Sequence, residues 1–292
     1  MSSMKYQIER FPNGTASIRN LELNECMHSS IGAWTEAQLI YVAQSQIVET
    51  LTSMHPSHCS GPLVIYDIGL GIGANALATL EAVVSLPVRP DNESKAPRVH
   101  LISFETQLEG IRAALQYPSD FPFLEKYQEP LQQLLNEGHW KYSGQNLRPR
   151  GIELHWELKL GDFRDHMISC PKPDVIFFDL HSPKTCPALW GFQTFQLLFS
   201  LQGAKETRLI TYSASTAVRS ALLLAGFYVG KGVSTSLKKE TTLAASQRNL
   251  LKSPLDLHWL EHWRRSSRAI PQDYPDQDLV TAYEKIKAAI LE

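Results

Sequence analysis

Apolar segments and helical segments alternate along the middle of the chain, and this alternation constrains the fold more than any other feature. The apolar segments have the length of strands, and the stretches between them show helical spacing. Strands that alternate with helices predict a mainly parallel sheet covered by helices on both faces. The predicted strands are 63–68, 99–104, 152–160, 174–179, 207–213 and 227–230. The predicted helices are 74–85, 107–116, 122–137, 187–201 and 215–225.

Other patterns precede and follow this region. An Asn-Gly pair at positions 13 and 14 predicts a hairpin, and a helical pattern then extends to about residue 53. After residue 247 the strand pattern stops, and a tail leads to a last helix near the end of the chain. We therefore expect an N-terminal hairpin and helix extension of residues 1–60, a Rossmann-like domain of residues 61–247 and a C-terminal helical appendage of residues 248–292.

The composition is that of an ordinary globular protein. Hydrophobic residues make up 43% and charged residues 20% of the chain, which argues against disordered and fibrous classes. The sequence has neither the roughly 20 apolar residues that span a bilayer nor a signal-peptide core, so we expect a cytoplasmic protein with no membrane partner. The four cysteines are far apart and form no C-x-x-C pair, which fits reduced thiols better than disulfides or zinc.

Positive charge is concentrated in one segment, although the formal net charge is −2. Residues 231–268 contain eight Lys or Arg against three acidic residues. A polyanion could contact such a surface. A solvated surface explains the same charges and stays open. The residues that we consider for phosphate contact are Lys184, Arg219, Lys231, Lys238 and Lys239.

A glycine turn follows the first predicted strand, which ends in Asp67 and Ile68. Glycines at 69, 71 and 73 allow a close backbone approach, and the helix that follows favours an anion, so the turn suits a nucleotide. The spacing even fits the looser dinucleotide fingerprint. However, Asp67 would repel a pyrophosphate, and the next acidic strand end, Glu105, lies 32 positions beyond Gly73 instead of about 20. Both details favour a ligand other than NAD.

The later strand ends also carry acidic residues, at the edge of the sheet where ligands bind. Glu105 suits the two hydroxyls of a ribose. Asp162 and Phe163 suit an adenine, through its amine and its ring face. Each acid alone could be a helix cap or a solvated residue. Together the four acids at the strand ends, Asp67, Glu105, Asp162 and Asp179, fit S-adenosylmethionine. The first three suit the cofactor, and Asp179 is left for the methyl acceptor.

Five motifs occur in order along the chain. They are Gly-Leu-Gly-Ile-Gly-Ala-Asn at 69–75, Ile-Ser-Phe-Glu at 102–105, Gly-Asp at 161–162, Phe-Phe-Asp-Leu-His-Ser-Pro-Lys-Thr-Cys-Pro-Ala-Leu-Trp at 177–190 and Thr-Tyr-Ser-Ala-Ser-Thr-Ala-Val-Arg at 211–219. This set resembles the methyltransferase domain of the MnmC type, which completes the 5-methylaminomethyl group on the wobble uridine of certain tRNAs. The resemblance covers about residues 10–246. Segments 13–15 and 28–37 are similar to the stand-alone form without the fused flavin oxidase.

The resemblance implies an α/β, class I S-adenosylmethionine-dependent methyltransferase with a mainly parallel seven-stranded sheet. It implies that Asp179 is the catalytic residue and faces the amine. The implied cofactor-binding residues are Asp67, Gly69, Gly71, Gly73, Asn75, Glu105, Asp162 and Phe163. The implied substrate-binding residues are Glu36, Ser182, Tyr212, Lys238 and Lys239. No metal is implied, and the implied partners are tRNA, at its anticodon wobble uridine, and a separate enzyme that makes the aminomethyl precursor.

Two segments depart from the family pattern. The family usually has Gly-Phe or Ala-Phe after the catalytic Asp, where this chain has Leu180-His181. The family's Gly- and Arg-rich segment after the last helix is represented by residues 232–239, which keep only lysines. We therefore expect methyl transfer with a changed substrate-side wall.

Other functions stay open at this point. The chain could methylate a different amine, transfer a hydride with NAD bound at the glycine turn, or bind cofactor and tRNA without catalysis. The segment from His258 to His262 also matches the H-x-x-E-H zinc string. A helix that packs Trp259 and Trp263 against the body explains that segment better.

Overall fold

The computed structural model describes residues 5–53, 61–86, 96–143, 152–267 and 269–292. It divides into two compact units, Met1–Pro171 and Lys172–Glu292, and each is described by itself. The predicted boundary after residue 60 lies at the edge of a stretch outside the described residues. The division into three segments stays a prediction.

The first unit begins with a small antiparallel sheet. Its strands are β1 (Tyr6–Arg10), β2 (Ala16–Asn20) and β3 (Glu25–Cys26). Gly14 has a φ of 85° in the turn between β1 and β2, a conformation that glycine adopts at low cost. The hairpin predicted from the Asn-Gly pair is confirmed.

An interrupted helical segment follows, where the sequence predicts one continuous helix. Its parts are α1 (Ala33–Glu36), a π-helical turn (Ala37–Val42), α2 (Ala43–Ser45) and α3 (Ile47–Ser53). The break is at Gln46, which has a left-handed φ of 57°. The Ser45 hydroxyl donates to the Val42 carbonyl and accepts from the Ile47 N–H. This side chain therefore competes with the helical hydrogen bonds at the break.

Strands and helices alternate through the rest of the first unit. The elements are β4 (Leu63–Ile68), α4 (Ala74–Val84), β5 (Arg98–Glu105), α5 (Glu109–Leu115), α6 (Pro122–Lys126), α7 (Gln128–Glu137), β6 (His139–Ser143), β7 (Glu153–Leu160) and α8 (Phe163–His166). Strands β4, β5 and β7 pair in parallel, and β6 joins β7 antiparallel. Every residue of β4 is buried, which is typical of a parallel strand covered on both faces.

The second unit continues the alternation. Its elements are β8 (Val175–Phe178), α9 (Phe192–Gln202), β9 (Arg208–Thr211), α10 (Thr216–Ala225), β10 (Tyr228–Lys231), β11 (Thr242–Ala245), α11 (Leu257–Arg264) and α12 (Leu279–Leu291). Strands β8 and β9 are parallel, and β11 lies antiparallel between β9 and β10. Both units thus confirm the predicted α/β class.

Two strands were not predicted, β6 and β11. The described residues therefore contain eight strands in the region of the expected seven. Strand β6 is short and has one buried residue, Trp140, among polar and half-exposed neighbours, so its sequence carries only a weak strand signal. Strand β11 contains only Thr, Leu and Ala. These four residues carry no strong strand signal by themselves, and the strand is recognised only from its pairing.

The C-terminal helices pack closely within the second unit. Trp259 and Trp263 are 7% and 0% exposed, and the Trp263 indole N–H donates to the Ser220 hydroxyl and the Ala269 carbonyl. The predicted packing of these tryptophans is confirmed. His258 and His262 lie together at the helix surface, and no group of three or more metal-ligating side chains occurs among the described residues.

In the part of the chain that the structure describes, no helix has both the length and the apolar character to cross a membrane.

Acid should destabilise this fold through His155 on β7. Burial and the stacked ring of His100 lower the pKa of His155 from its ordinary value, and Glu157 opposes them. In the unfolded chain, His155 has a pKa near 6.5, so that state binds more protons as the pH falls through about 6.5. The free energy of unfolding should therefore fall in that window.

The measurement is the thermal midpoint at about pH 7.5 and about pH 5.5, on either side of the ordinary histidine pKa. His155→Gln should lose less stability over this interval than the wild type. His258→Gln, at an exposed position of α11, is the control and should behave as the wild type. Equal losses in His155→Gln and the wild type would contradict the prediction.

Candidate active site

The glycine turn connects β4 to α4 in a conformation that other residues rarely adopt. Gly69, Gly71 and Gly73 have φ values of 96°, 56° and 84°. The N–H groups of Gly69 and Leu70 both donate to the Phe104 carbonyl on β5, at 3.0 and 3.2 Å. Glycine at every second position is therefore a backbone requirement of this turn.

Glu105, at the end of β5, is joined directly to the turn. Its Oε2 accepts the Gly71 N–H at 3.0 Å, and its Oε1 accepts the N–H groups of Thr106 and Gln107 at 2.8 and 3.2 Å. An ionised carboxylate has about four acceptor sites, so Oε2 retains capacity for a ligand hydroxyl. The structure thus brings together the glycine turn and Glu105, which the sequence predicts to belong to one site.

Asp162 lies beside the same strand end. The Gly161 N–H donates to the Glu105 carbonyl at 2.8 Å, and the Asp162 carboxylate caps α8 by accepting the Arg164 N–H at 2.9 Å. Hydrogen bonds from the Arg164 guanidinium outweigh partial burial and lower the pKa of Asp162. The carboxylate is therefore a charged acceptor at neutral pH, with a third of its side chain exposed.

Three other predicted cofactor residues lie in the interior. Asp67, Asn75 and Phe163 are 0%, 4% and 4% exposed. The Asp67 Oδ2 accepts the Ser103 hydroxyl at 2.7 Å, and the same hydroxyl oxygen accepts the Trp156 indole N–H at 2.9 Å. Asp67 therefore takes part in a buried network that links β4, β5 and β7. Direct contact of these three side chains with a cofactor stays a prediction.

Glu36 at the end of α1 points into a polar cluster of the first unit. Its side chain is 15% exposed, lies 3.6 Å from the His28 Nδ1 and accepts the Ser29 hydroxyl at 2.5 Å. Burial raises the pKa of Glu36, but hydrogen bonds from His28 and Ser29 outweigh it, so the pKa is lowered. Glu36 thus fixes the segment after β3, and its contact with substrate stays a prediction.

Met27 borders the glycine turn, and no motif in the sequence indicates this contact. Its sulfur lies 4.0 Å from the position that a Cβ at Gly71 would occupy. Its Cε would lie 2.5 Å from a Cβ at Gly110 on α5, so Met27 packs directly on this glycine. The Tyr6 hydroxyl of β1 also donates to the Gln107 side chain at 3.1 Å. The N-terminal sheet therefore contacts the loop that carries Glu105, which the motifs alone do not indicate.

In the second unit, Asp179 directly follows β8 and is half-buried. The loop between β8 and α9, residues 179–191, is called the Asp179 loop. It is held through two of its backbone carbonyls. The Tyr212 hydroxyl donates to the Leu180 carbonyl at 3.0 Å, and the Trp190 indole N–H donates to the His181 carbonyl at 2.7 Å. The two rings meet edge to face, with centroids 5.6 Å apart.

Lys238 extends this cluster. Its Nζ lies 4.2 Å from the centroid of the Tyr212 ring and 3.4 Å from the Tyr212 carbonyl oxygen. The Ser182 and Thr185 hydroxyls are hydrogen-bonded at 3.0 Å within the same loop. Lys239 is exposed. Of the predicted substrate residues, Ser182, Tyr212 and Lys238 therefore lie on or against the Asp179 loop.

The prediction that Arg219 contacts phosphate was wrong. It is 1% exposed, and its guanidinium donates to the Glu240 carboxylate, the Thr242 hydroxyl and the Thr241 carbonyl. Burial makes these partners necessary, because an unpaired charge there would be costly. The sequence signal that was overlooked is the Glu-Thr-Thr run at 240–242, which supplies all three acceptors.

Residues 125–247 match the sequence model of a family described as S-adenosyl-L-methionine-dependent methyltransferases. This match supports an S-adenosyl-L-methionine-dependent methyltransferase. The matched residues include the loop of Asp179 and the strand end of Asp162. Because the matched family uses S-adenosyl-L-methionine, the match argues against an NAD-linked oxidoreductase.

Two relatives and one solved structure extend this comparison. The methyltransferase is 26% identical to the tRNA 5-methylaminomethyl-2-thiouridine biosynthesis bifunctional protein MnmC of Polaromonas naphthalenivorans, over 81% of this chain and 35% of that protein. It is 25% identical to an uncharacterised protein of Methanocaldococcus jannaschii, over 94% of this chain and 68% of that protein. The resemblance to the MnmC type is confirmed, and the chain spans about a third of the length of the MnmC relatives that it matches.

The crystal structure of MNMC2 from Aquifex aeolicus superposes with a TM-score of 0.70 and 23% identity, over 99% of this chain and 85% of that chain. This similarity confirms the predicted fold class.

The residues of the first unit fit S-adenosyl-L-methionine. A Cβ at Gly71 would meet only atoms 4.0 Å away, so the turn is open to a ligand that approaches its backbone. Glu105 offers the remaining acceptor capacity of Oε2, and Asp162, whose oxygens both accept from Arg164, supplies a charged carboxylate in the same strand-end cluster. These are the groups that a ribose and an adenine amine require.

Glu105→Gln should weaken cofactor binding. Whichever way the amide is placed, its NH₂ would face a backbone N–H that the carboxylate now accepts. A hydrogen bond to a charged group contributes about 1.5–3 kcal/mol, so the dissociation constant should rise about 10-fold or more.

Isothermal titration with S-adenosyl-L-methionine measures this effect. Glu109→Gln is the control, because Glu109 is exposed four residues further along, and it should bind as the wild type does. Wild-type affinity in Glu105→Gln would exclude the role of this carboxylate.

Proposed function

We propose that the methyltransferase methylates the aminomethyl group on the modified wobble uridine of tRNA, converting 5-aminomethyl(-2-thio)uridine to its 5-methylaminomethyl form. The observation that carries the proposal is the half-buried Asp179 at the end of β8, on a loop fixed by Tyr212 and Trp190. The name of the MnmC relative supports this substrate.

The acceptor in this reaction is a primary amine. An alkylammonium has a pKa near that of lysine, about 10.4, so the substrate arrives mostly protonated at neutral pH. The Asp179 carboxylate attracts this ammonium and, after the ammonium gives one proton to water, accepts a hydrogen bond from the neutral amine. That hydrogen bond orients the nitrogen lone pair. S-adenosyl-L-methionine, when bound, supplies an electrophilic methyl group on a sulfonium.

Orientation should contribute more than basicity at Asp179. A carboxylate is a weak base toward an alkylammonium, whereas correct placement of two reactants removes several kcal/mol of barrier. The contacts to the Leu180 and His181 carbonyls serve this purpose, because they restrict the backbone next to Asp179. Glu105 would hold the cofactor ribose, and Asp162 would accept from the adenine amine.

Exposed lysines suit the tRNA backbone. Lys184 is exposed in the Asp179 loop, and Lys231 and Lys239 are exposed at the two ends of the β10–β11 connection. Phosphate contacts by such side chains position a nucleic acid without selecting its sequence. A separate enzyme would supply the aminomethyl precursor. A different amine acceptor is the alternative, and the tests below distinguish it.

Asp179→Ala should lower turnover by about 100-fold or more, as expected for the loss of a positioning or acid-base group. Cofactor affinity should change little. The assay is transfer of labelled methyl to tRNA from cells that lack this methylation.

Asp174→Ala is the matched control, since Asp174 stands at the opposite end of β8 and pairs with Lys205. Its turnover should remain near that of the wild type. Full activity of Asp179→Ala would refute the role of Asp179. Wild-type activity on small amines but not on tRNA would instead support the alternative acceptor.

Binding of tRNA should weaken steeply with salt, because phosphate contacts release counterions. The double variant Lys231→Gln, Lys239→Gln should bind less tightly, and its plot of log affinity against log salt should be shallower by about one per lost contact. Lys172→Gln, an exposed lysine outside the basic segment, is the control. A salt-independent affinity would argue for a small-molecule acceptor.

A further inference from the structure

Asp273, between the last two helices, caps a helix that begins 81 residues earlier. Its Oδ1 accepts the Phe192 N–H and its Oδ2 accepts the Gln193 N–H, both at 2.9 Å. The first N–H groups of a helix are usually satisfied by the side chain of the residue just before it. In α9 that residue is Gly191, which has no side chain. A Cβ at Gly191 would collide with the Asp273 carboxylate, so the glycine makes room for the distant cap.

The segment around Asp273 is itself well fixed. The Tyr274 ring packs edge to face against Phe192, with centroids 4.8 Å apart. Lys285 of α12 donates to the Tyr274 hydroxyl at 2.8 Å, and the Gln277 side chain donates to the Pro271 carbonyl at 3.1 Å. Asp273 therefore presents its carboxylate from a braced turn.

The helix that Asp273 caps begins where the Asp179 loop ends. Trp190 immediately precedes Gly191, and its indole holds the His181 carbonyl, two residues from Asp179. Tyr212, in contact with Trp190, holds the Leu180 carbonyl. A shift of Gly191 would displace Trp190 and thus the carbonyl contacts beside Asp179.

We propose that Asp273 is a positioning residue for Asp179, so that the C-terminal segment sets the conformation of the substrate loop through the cap of α9. The inference rests on the proposed role of Asp179. It gives the C-terminal segment a part in the reaction.

The test compares two cap removals in the same unit. Asp278 caps α12 by accepting the Thr281 N–H at 2.8 Å, and it has no contact with the Asp179 loop among the described hydrogen bonds. Asp273→Ala should lower kcat about 10- to 100-fold, the range expected for a small misplacement of a reacting group. Its cofactor dissociation constant should stay within about two-fold, because the cofactor residues lie in the first unit. Asp278→Ala should keep kcat within about two-fold.

Asp273→Asn keeps one acceptor oxygen and should lose less kcat than Asp273→Ala. This variant also covers the case in which Asp273→Ala fails to fold. Equal kcat values in Asp273→Asn, Asp278→Ala and the wild type would overturn the proposal.

Amide hydrogen exchange gives a readout that needs no substrate. Exchange in residues 180–192 should accelerate in Asp273→Asn and remain unchanged in Asp278→Ala. Unchanged exchange in Asp273→Asn overturns the inference whatever the activity. Accelerated exchange in a protein whose wild type does not methylate tRNA would instead count against the proposed substrate and leave the coupling in place.

Discussion

The hydrogen bond from the Gly71 amide to the Glu105 carboxylate is the interaction on which the glycine turn and the end of β5 depend. A neutral hydrogen bond in a protein contributes about 1 kcal/mol, and one to a charged group about twice that. Glu105 accepts this bond together with two amides of its own loop, so one carboxylate fixes both the turn and the strand end. Glycine is required on one side of this bond and an acid on the other. The two motifs are therefore one structural feature, although 34 residues separate Gly71 from Glu105.

The loop that follows Asp179 is organised by aromatic side chains. Tyr212 and Trp190 both donate to backbone carbonyls of the Asp179 loop, and the two rings contact each other. Lys238 lies over the Tyr212 ring. Aromatic rings lose little conformational entropy and bury a large area, so they fix a loop more firmly than long charged side chains do. The backbone next to Asp179 is thus held directly by two uncharged donors.

The elements that the sequence predicted best are those whose pattern is set locally. Strand β4 begins and ends at the predicted residues, because six consecutive apolar or buried positions are followed by a glycine turn. Strand β6 was missed because its exposure pattern depends on its pairing with β7. Arg219 was misplaced for a similar reason: its partners at 240–242 are distant in sequence, and an arginine does not reveal whether it is buried. Local geometry was predictable, and long-range pairing of polar side chains was not. The same limit applies to Asp273, whose role as a cap depends on a helix start 81 residues away.

The chain departs from the MnmC pattern at Leu180-His181. This raises the question whether the loop that follows Asp179 can still place the Asp179 side chain. Both hydrogen bonds that hold the loop are accepted by the backbone carbonyls of these two residues. Every residue supplies such a carbonyl, so a change of side chain at either position leaves the loop contacts intact. The donors, Tyr212 and Trp190, lie within the two motifs that the chain shares with the family. The substitutions therefore alter the side chains beside Asp179 and preserve the means by which Asp179 is placed. This argues for changed side chains beside Asp179 and against a loss of the loop conformation that places it.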